Sequence, residues 1–338
     1  AVLLVVWAGC RTAGGPASAP ADSLDTMPET AVREIPLQAP LNDPKVEISG
    51  LAWHGDTLVI LPQYPRYRAP EGERRLWGLA RSDLNRFVSG ERTEPLVPIP
   101  IPFEAGAVRD DHTNYEGCEA VAFRGDQIFV VTESGGTRPG MTGHLLTGRV
   151  APGLASIQVD MGSLRELPRQ TGLANMSYEA MTLQGDTIVA LFEANGAAVN
   201  ATPRAYRFDS SLRLLDSMDV QPLEYRLTDA TAMDADGRFW VVNYFYPGER
   251  DLLQPAADSV ALRHGIGRTH RQEDVVERLV EYQLVGNRIE RTDSPPLWLR
   301  LQPGMGRNWE GIVRFGDGFL LATDRFPTSL LAYVERSR

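Results

Sequence analysis

The chain repeats one short pattern of polar and apolar positions five times. In each copy a polar residue is followed by a small residue, and a glycine stands six positions after the first residue. The copies align without a gap, and their opening residues are Ser49, Glu119, Glu179, Thr231 and Glu310. The glycine belongs to a Gly-Asp pair in four copies and to an Asp-Gly pair in the fourth unit, and an apolar run follows the turn in each copy. This arrangement predicts a β-hairpin in each copy.

The spacing of the copies predicts how the hairpins are combined. They start at positions 49, 119, 179, 231 and 310, so successive starts lie 70, 60, 52 and 79 residues apart. Each interval has room for two further strands, and four-stranded units repeated around an axis form a β-propeller, which leaves few exposed sheet edges. We therefore expect an all-β fold, a five-bladed β-propeller, with residues 31–338 as a single domain.

The two ends of the repeat region predict how the ring closes. Positions 311–338 offer only 28 residues after Glu310, which suffices for three strands but not for four. Residues 32–37 read like the strands that precede the second and fifth copies, so we expect an N-terminal strand to complete the last blade. The long fourth unit contains an extra segment, about residues 252–271, and residues 272–282 are expected to be partly helical.

The first thirty residues have a different composition. Residues 1–9 are apolar apart from glycine and end at Cys10, and residues 11–30 are rich in small and polar residues. The apolar run is shorter than the ~20 residues that cross a bilayer, and it is typical of the end of a signal peptide. Ala8-Gly9-Cys10 matches a bacterial lipobox, although Trp7 stands where leucine is usual. We expect residues 1–30 to be a leader remnant and flexible linker with lipid on Cys10; an ordinary signal peptide is the alternative.

Charge and cysteine content limit the partners and the location. The chain has 34 basic and 44 acidic residues, a net charge of −10, which argues against nucleic acid as a partner. A lipid on Cys10 would anchor the protein in the bacterial cell envelope, in the periplasm or at the outer membrane, with no other membrane contact. Cys118 would then have no disulfide partner. We expect a monomer.

The five opening residues would form a ring, because the innermost strand of each propeller blade lines the central channel. Three glutamates that converge in a narrow channel repel one another unless a cation is present. Calcium accepts six to eight oxygen ligands in flexible geometry, whereas zinc prefers nitrogen and sulfur and magnesium requires a strict octahedron. The ring therefore predicts a calcium site. In the alternative interpretation, the carboxylates bind channel waters or backbone N–H groups.

A second set of residues follows each opening residue by fourteen positions, where the hairpin returns to the same face. These residues are Gln63, Glu133, Glu193, Phe245 and Asp324, and near them stand Asn243, Glu249, Arg250, Arg325, Arg66 and Arg138. We expect Glu133, Glu193 and Asp324 to be catalytic residues that position water, and Asn243, Arg250 and Arg325 to bind the substrate. An ordinary solvated rim is the alternative.

The motifs of the five copies resemble those of a known family. They are Ile48-Ser-Gly-Leu-Ala52, Tyr115-Glu-Gly-Cys-Glu119, Tyr178-Glu-Ala-Met, Thr228-Asp-Ala-Thr231 and Asn308-Trp-Glu-Gly-Ile312, with the strand ends Val131-Thr-Glu-Ser134 and Ala322-Thr-Asp-Arg325. Over about residues 45–335 the chain resembles the phytase-like (esterase-like activity of phytase) family. The order of oxygen ligands is similar to that of the calcium-activated nucleotidases (apyrases), which are five-bladed propellers with one central calcium.

This resemblance implies calcium at Ser49, Glu119, Glu179, Thr231 and Glu310, and it points to the hydrolysis of phosphate esters. The leading hypothesis is therefore a calcium-dependent hydrolase of phosphate or carboxylate esters, acting on a small anionic or ester substrate. The rival hypothesis is a non-enzymatic propeller with a structural calcium, whose rim binds a glycan or a protein partner.

Overall fold

The computed structural model describes residues 24–105, 115–135 and 140–336. Its regular secondary structure is almost entirely β-strand. The α-helices among the described residues are short: α1 (Arg81–Val88), α2 (Arg250–Leu253) and α3 (Ser259–His264). None of them has the length and apolar character that crossing a membrane requires. The predicted lipidation residue, Cys10, lies outside the described residues.

The strands pair mainly in antiparallel groups of four. The described chain begins with β1 (Thr26–Met27), β2 (Glu29–Thr30) and β3 (Val32–Ile35). The first group contains β4 (Ile48–His54), β5 (Thr57–Pro62), β6 (Arg75–Ala80) and β7 (Ile99–Glu104). The second group contains β8 (Tyr115–Arg124), β9 (Gln127–Ser134), β10 (Thr142–Val150) and β11 (Ile157–Glu166). The third contains β12 (Ala180–Gln184), β13 (Thr187–Leu191), β14 (Arg204–Phe208) and β15 (Leu214–Val220).

The last two groups involve the N-terminal strands and an insertion. The fourth group contains β16 (Arg226–Ala230), β17 (Arg238–Phe245), β19 (Val276–Val285) and β20 (Arg288–Arg291). The insertion after β17 holds α2, α3 and β18 (Ile266–Gly267), and β21 (Leu297–Leu299) adds to the edge of β19. The final group contains β22 (Trp309–Phe315), β23 (Gly318–Thr323), β24 (Leu331–Glu335) and β3.

The groups form a closed, propeller-like arrangement. The first strand of each group packs against the first strands of its neighbours, from β4 through β8, β12, β16 and β22, and β22 packs against β4. An apolar cluster lies between each pair of neighbouring groups, including the last and the first. The predicted closing strand is present, since β3 pairs antiparallel with β24. Burial between neighbouring sheets therefore holds the ring together.

The short turns explain why the repeat was visible in the sequence. Gly55, Gly125, Gly185 and Gly316 each have a φ between 53° and 56°, while the residue that follows them does not have a positive φ. A two-residue hairpin turn with a positive φ at its first central position requires glycine there, since other residues are strained in that region.

Two expectations about the flanking segments are wrong. Residues 276–282 belong to β19, not to a helix, because their alternating apolar side chains pack into the clusters on both sides of the fourth group. Residues 26–30 do not belong to a flexible linker, since β1 pairs with β18 and β2 pairs with β21. Glu29 anchors this segment: its Oε1 accepts hydrogen bonds from the Thr269 amide and hydroxyl, and it contacts His270 Nδ1 at 2.9 Å.

Candidate functional site

The ring at the channel contains Asp229, and not Thr231, in the fourth group. In each of the other groups, the residue directly after the predicted ligand pairs across the hairpin with the residue eleven positions further along. Gly50, for example, follows Ser49 and pairs with Leu61. The corresponding pair in the fourth group is Ala230 with Val241, so the residue at the ligand position is Asp229. The fourth turn is longer. The Asp234 side chain accepts hydrogen bonds from the amides of Asp236 and Arg238, and the Asp234 carbonyl accepts one from the Gly237 amide. Aligning the copies on their glycines therefore misplaced the fourth ligand by two residues.

Thr231 has a structural role one layer below the ring. Its Oγ1 accepts a hydrogen bond from the Trp240 amide at 3.0 Å, and its carbonyl accepts one from Thr182 Oγ1 at 2.9 Å. By register it stands level with apolar residues of the other first strands, Leu51, Val121, Met181 and Ile312. These side chains line the channel below the ring. The channel is therefore polar at one end and apolar at the other.

The corrected ring consists of residues that are at most 8% exposed: Ser49, Glu119, Glu179, Asp229 and Glu310. Asp229 is already engaged, because its Oδ1 accepts a hydrogen bond from the Ala230 amide and its Oδ2 one from the Ile312 amide. Ser49 Oγ has no hydrogen-bond partner among the described residues. The oxygens on the Ser49 side of the ring are therefore less engaged than those of Asp229.

Arg226 lies within the carboxylates of the channel mouth and was not singled out in the sequence. Its Nε donates to Glu193, its Nη2 donates to Glu179 Oε1 at 3.0 Å, and the same nitrogen is 3.7 Å from Glu310 Oε1. Its Nη1 donates to Asn308 Oδ1 at 3.4 Å and to Glu249 Oε1 at 3.5 Å. Arg226 thus supplies positive charge to the Glu179 side of the ring.

The opposite side, around Glu119 and Glu133, has fewer partners. Gln63 Nε2 donates to Glu119 Oε1 at 3.4 Å. Glu133 is 6% exposed, and its Oε1 has no hydrogen-bond partner among the described residues. Glu193 Oε2 is likewise unpartnered there, although Arg226 holds the other oxygen. Buried polar atoms without partners are costly, so these oxygens indicate a ligand that is not a protein group.

The carboxylates raise one another's pKa values because they are buried together. Burial, followed by the charges of Glu133, Glu179 and Glu310, raises the pKa of Glu119 well above its usual range. Burial and the Glu179 charge raise the pKa of Glu133 to about 8, and burial raises that of Asp324 to about 6. Burial and neighbouring charges also raise the pKa of Glu310 well above its usual range. One arginine therefore does not balance the acids, and protons or a further cation must compensate the remaining negative charge.

A pocket of about 580 Å³ opens above these groups. Its lining includes the buried groups Glu119, Glu133, Glu179, Glu310 and Arg226. The lining also includes Asp324, Arg325, Glu47 and Glu249 together with Tyr64, Tyr244, Tyr246, Met305 and Phe326. The volume is in the range of small-molecule sites. We call this space the mouth pocket.

The structure brings only some of the predicted catalytic residues to the mouth pocket. Glu133 and Asp324 line it, and Asp324 Oδ1 accepts a hydrogen bond from the Phe326 amide at 2.6 Å. Glu193 is 0% exposed and bound to Arg226 beneath the pocket, so it cannot contact a substrate directly. Its predicted role is therefore corrected to one of holding Arg226.

Of the predicted substrate-binding residues, only Arg325 lies at the mouth pocket, where its Nη1 donates to Glu47 Oε1 at 2.8 Å. Asn243 takes the place that Phe245 was expected to have, fourteen positions after Asp229. It is fully buried, donates to the Glu224 and Arg226 carbonyls, and accepts from Arg278 Nε at 2.8 Å. Arg250 pairs with Asp274 in the insertion and lines a different pocket. Arg66 also lines a separate pocket, and Arg138 lies outside the described residues.

The sequence did contain a signal for Arg226. It stands three residues before Asp229, at the start of a first strand whose polar residue was expected at position 231. A correct register for the fourth hairpin would have placed both residues at the mouth. Asn308, two residues before Glu310, donates from Nδ2 to Glu310 Oε1 at 2.5 Å and could have been found in the same way.

The donor chemistry of the ring fits calcium. The unpartnered Ser49 Oγ and the oxygens of Glu119, Glu179 and Glu310 are oxygen donors of the kind that calcium takes. Among the described residues, no group of three or more His, Cys, Asp and Glu side chains is already assembled at metal-binding distances. An ion on the Ser49–Glu119 side would therefore draw in carboxylates that now face Arg226 or Gln63.

Comparisons with known proteins support the fold. No family model and no curated protein matches the chain. The chain is similar, at 10% identity, to a solved structure from the GH130 family of mannoside phosphorylases. That family is described as containing glycoside hydrolases that target β-1,2 mannosidic linkages in Candida mannan. The match covers 92% of this chain and 96% of that one, with a TM-score of 0.50. At this identity the likeness concerns the fold alone, and that fold is propeller-like.

Two other solved structures match most of the chain at lower TM-scores. The GH43_1 enzyme from Xanthomonas citri is 11% identical over 87% of this chain and 90% of its own, with a TM-score of 0.48. The soluble aldose sugar dehydrogenase from Escherichia coli is 10% identical over 91% of this chain and all of its own, with a TM-score of 0.45.

Proposed function

We propose that this chain is a five-bladed β-propeller that binds one calcium ion in its channel ring and hydrolyses an ester in the mouth pocket. One observation carries the proposal. Glu133 is a buried carboxyl group in the wall of a ligand-sized pocket, with one oxygen that has no partner among the described residues. It lies beside a ring whose negative charge is only partly balanced. Such a group can position water and accept a proton from it.

The ring residues proposed to hold the ion are Ser49, Glu119, Glu179 and Glu310, with Asp229 in the place first expected for Thr231. When bound, calcium would supply positive charge to the reacting oxygen of an ester. Arg226 fixes Glu179 and Glu193 from the opposite side. The resemblance to the phytase-like family supports the same assignment.

In the proposed reaction, Glu133 holds a water molecule and accepts one of its protons as the water oxygen forms a bond to the acyl or phosphoryl centre. The bond from that centre to the alcohol oxygen breaks, and the proton passes to the leaving alkoxide. Asp324 lines the same pocket and is proposed to orient the water. The proposal also retains the lipid anchor at Cys10 and a location in the bacterial cell envelope.

The test is a turnover screen of the purified chain against nitrophenyl acetate, nitrophenyl phosphate, nucleotides and phytate, in chelator and in millimolar calcium. We expect calcium-dependent hydrolysis that Glu133→Gln abolishes without changing the calcium-dependent shift in melting temperature. Glu116→Gln is the matched control, since Glu116 lines the same pocket but is exposed. If calcium stabilises the protein but none of these substrates is hydrolysed, the hypothesis of a non-enzymatic binding propeller replaces that of an enzyme.

A further inference from the structure

The mouth pocket has a charge that disfavours anionic substrates. Among the described residues, its lining contains eight carboxylates and two arginines: Glu47, Glu116, Glu119, Glu133, Glu179, Glu249, Glu310 and Asp324 against Arg226 and Arg325. One calcium ion and the two arginines would together supply four positive charges against these eight acids. A phosphate group would therefore enter a site that remains acidic, at a cost that grows as the surroundings lose water.

Both arginines of the pocket are paired with carboxylates, although Arg325 is 53% exposed and is engaged through Nη1 alone. Arg226 already donates to Glu179 and Glu193, and Arg325 donates to Glu47. Recognition of phosphate or carboxylate by arginine depends on free, paired N–H donors. The oxygens of the pocket, including the unpartnered Glu133 Oε1, instead accept hydrogen bonds and suit a ligand with many hydroxyl donors.

The rim of the pocket adds an apolar, largely aromatic surface. Tyr246 and Phe326 are 54% and 56% exposed, and Tyr64 and Met305 are 38% and 44% exposed. All four side chains line the mouth pocket. Large apolar side chains this exposed and gathered at one opening indicate a ligand with an apolar face. A pyranose ring has such a face in its C–H groups and carries hydroxyls around its edge.

We propose that the substrate is a neutral carbohydrate that carries a carboxylic ester, and not a phosphate ester. The ring face of the sugar packs on Tyr246 and Phe326, and its hydroxyls donate to the carboxylates below. This inference rests on the proposed hydrolase for its chemical step: water adds to the acyl carbon, the bond from that carbon to the sugar oxygen breaks, and the sugar oxygen takes a proton to become a hydroxyl. The carbohydrate binding itself does not depend on turnover.

The test compares matched sugars that differ in charge. An O-acetylated methyl glucoside, the corresponding O-acetylated glucuronide and glucose phosphate are offered to the full chain in millimolar calcium, and kcat/KM is measured. We expect the neutral ester to be hydrolysed at least tenfold more efficiently than either anionic compound. Equal or faster turnover of the glucuronide or the phosphate would overturn the inference.

Variants and a binding measurement separate this inference from the hydrolase proposal. Tyr246→Ala and Phe326→Ala should each raise KM at least fivefold with an unchanged melting temperature. Val285→Ala is the control, since Val285 is 51% exposed but lies away from the pocket. If no ester is cleaved, calorimetry with neutral oligosaccharides decides. If the oligosaccharides bind and Phe326→Ala weakens that binding, the neutral carbohydrate remains the ligand class and only the hydrolase is rejected. If they do not bind at millimolar concentration, the carbohydrate ligand class is rejected.

Discussion

Arg226 and the acids around it determine the charge of the channel. The guanidinium contacts Glu179, Glu193 and Glu249, while Glu119 and Glu133 lie on the side that it does not reach through a hydrogen bond. The spacing of the five copies predicted acids in the channel and at its mouth, and the structure shows that they are buried. It could not show which single arginine enters the channel, because that depends on the register of the fourth hairpin.

Replacement of Arg226 tests its role as the internal cation. Arg226→Met leaves Glu179 and Glu193 buried without their partner, so we expect the free energy of unfolding in chelator to fall by about 3 kcal/mol. Added calcium should restore more of that loss than it adds to the wild-type protein. Denaturant unfolding measures both quantities.

Arg213→Met is the control for this change, since Arg213 is exposed and its pair with Asp209 lies on the surface, where such pairs contribute at most about 1 kcal/mol. An Arg226→Met protein as stable as the wild type in chelator would contradict the assigned role.

The raised pKa values predict how stability depends on pH without calcium. The folded-state pKa of Glu133, about 8, and that of Asp324, about 6, both exceed those of the exposed groups. The folded state therefore holds protons that the unfolded chain releases, and stability is lost as the pH rises through these folded-state values. We expect the melting temperature in chelator to fall between pH 5 and pH 8.5, and Glu133→Gln to flatten the upper part of this slope. A melting temperature in chelator that rises over this range would contradict the burial of protonated acids.

At the level of elements, the repeat was visible wherever the turns were two residues long. Gly55, Gly125, Gly185 and Gly316 occupy the same turn position, so their strands were placed correctly. The fourth hairpin uses a longer turn that ends at Gly237. The ligand was therefore expected at Thr231, two positions after Asp229. Turn length is set by local hydrogen bonds to Asp234, which the spacing of polar and apolar residues does not reveal.

The N-terminal strands predict a second stability effect at this scale. Glu29 joins β2 to the insertion through Thr269 and His270, and its side chain is almost fully buried. Glu29→Ala would leave three donors without an acceptor, so we expect a loss of about 3 kcal/mol in the free energy of unfolding. Glu91→Ala, at an exposed surface position, should change it by less than about 0.5 kcal/mol. Equal effects of the two changes would show that residues 24–30 behave as the linker first expected.

On the scale of the whole molecule, the sequence pattern predicted a ring of sheets and its closing strand, and the packing of β22 against β4 and the pairing of β3 with β24 agree with it. In the described residues, β22, β23 and β24 supply three strands of the last group and β3 supplies the fourth. The choice of ligand and substrate could not be inferred in this way. They depend on which side chains are already paired, as Arg325 with Glu47 and Asp229 with two backbone amides show.

Calcium binding to the ring is tested most directly by thermal unfolding of three proteins in chelator and in millimolar calcium: the wild type, Glu119→Gln and Glu116→Gln. A ligand that binds only the folded state adds about 2.7 kcal/mol at a hundred times its dissociation constant. The wild type and Glu116→Gln should therefore melt several degrees higher in calcium. Glu119→Gln should lose most of this response, because it removes a charged ligand that Arg226 does not hold. A wild-type melting temperature that is the same in chelator and in calcium would contradict the calcium site.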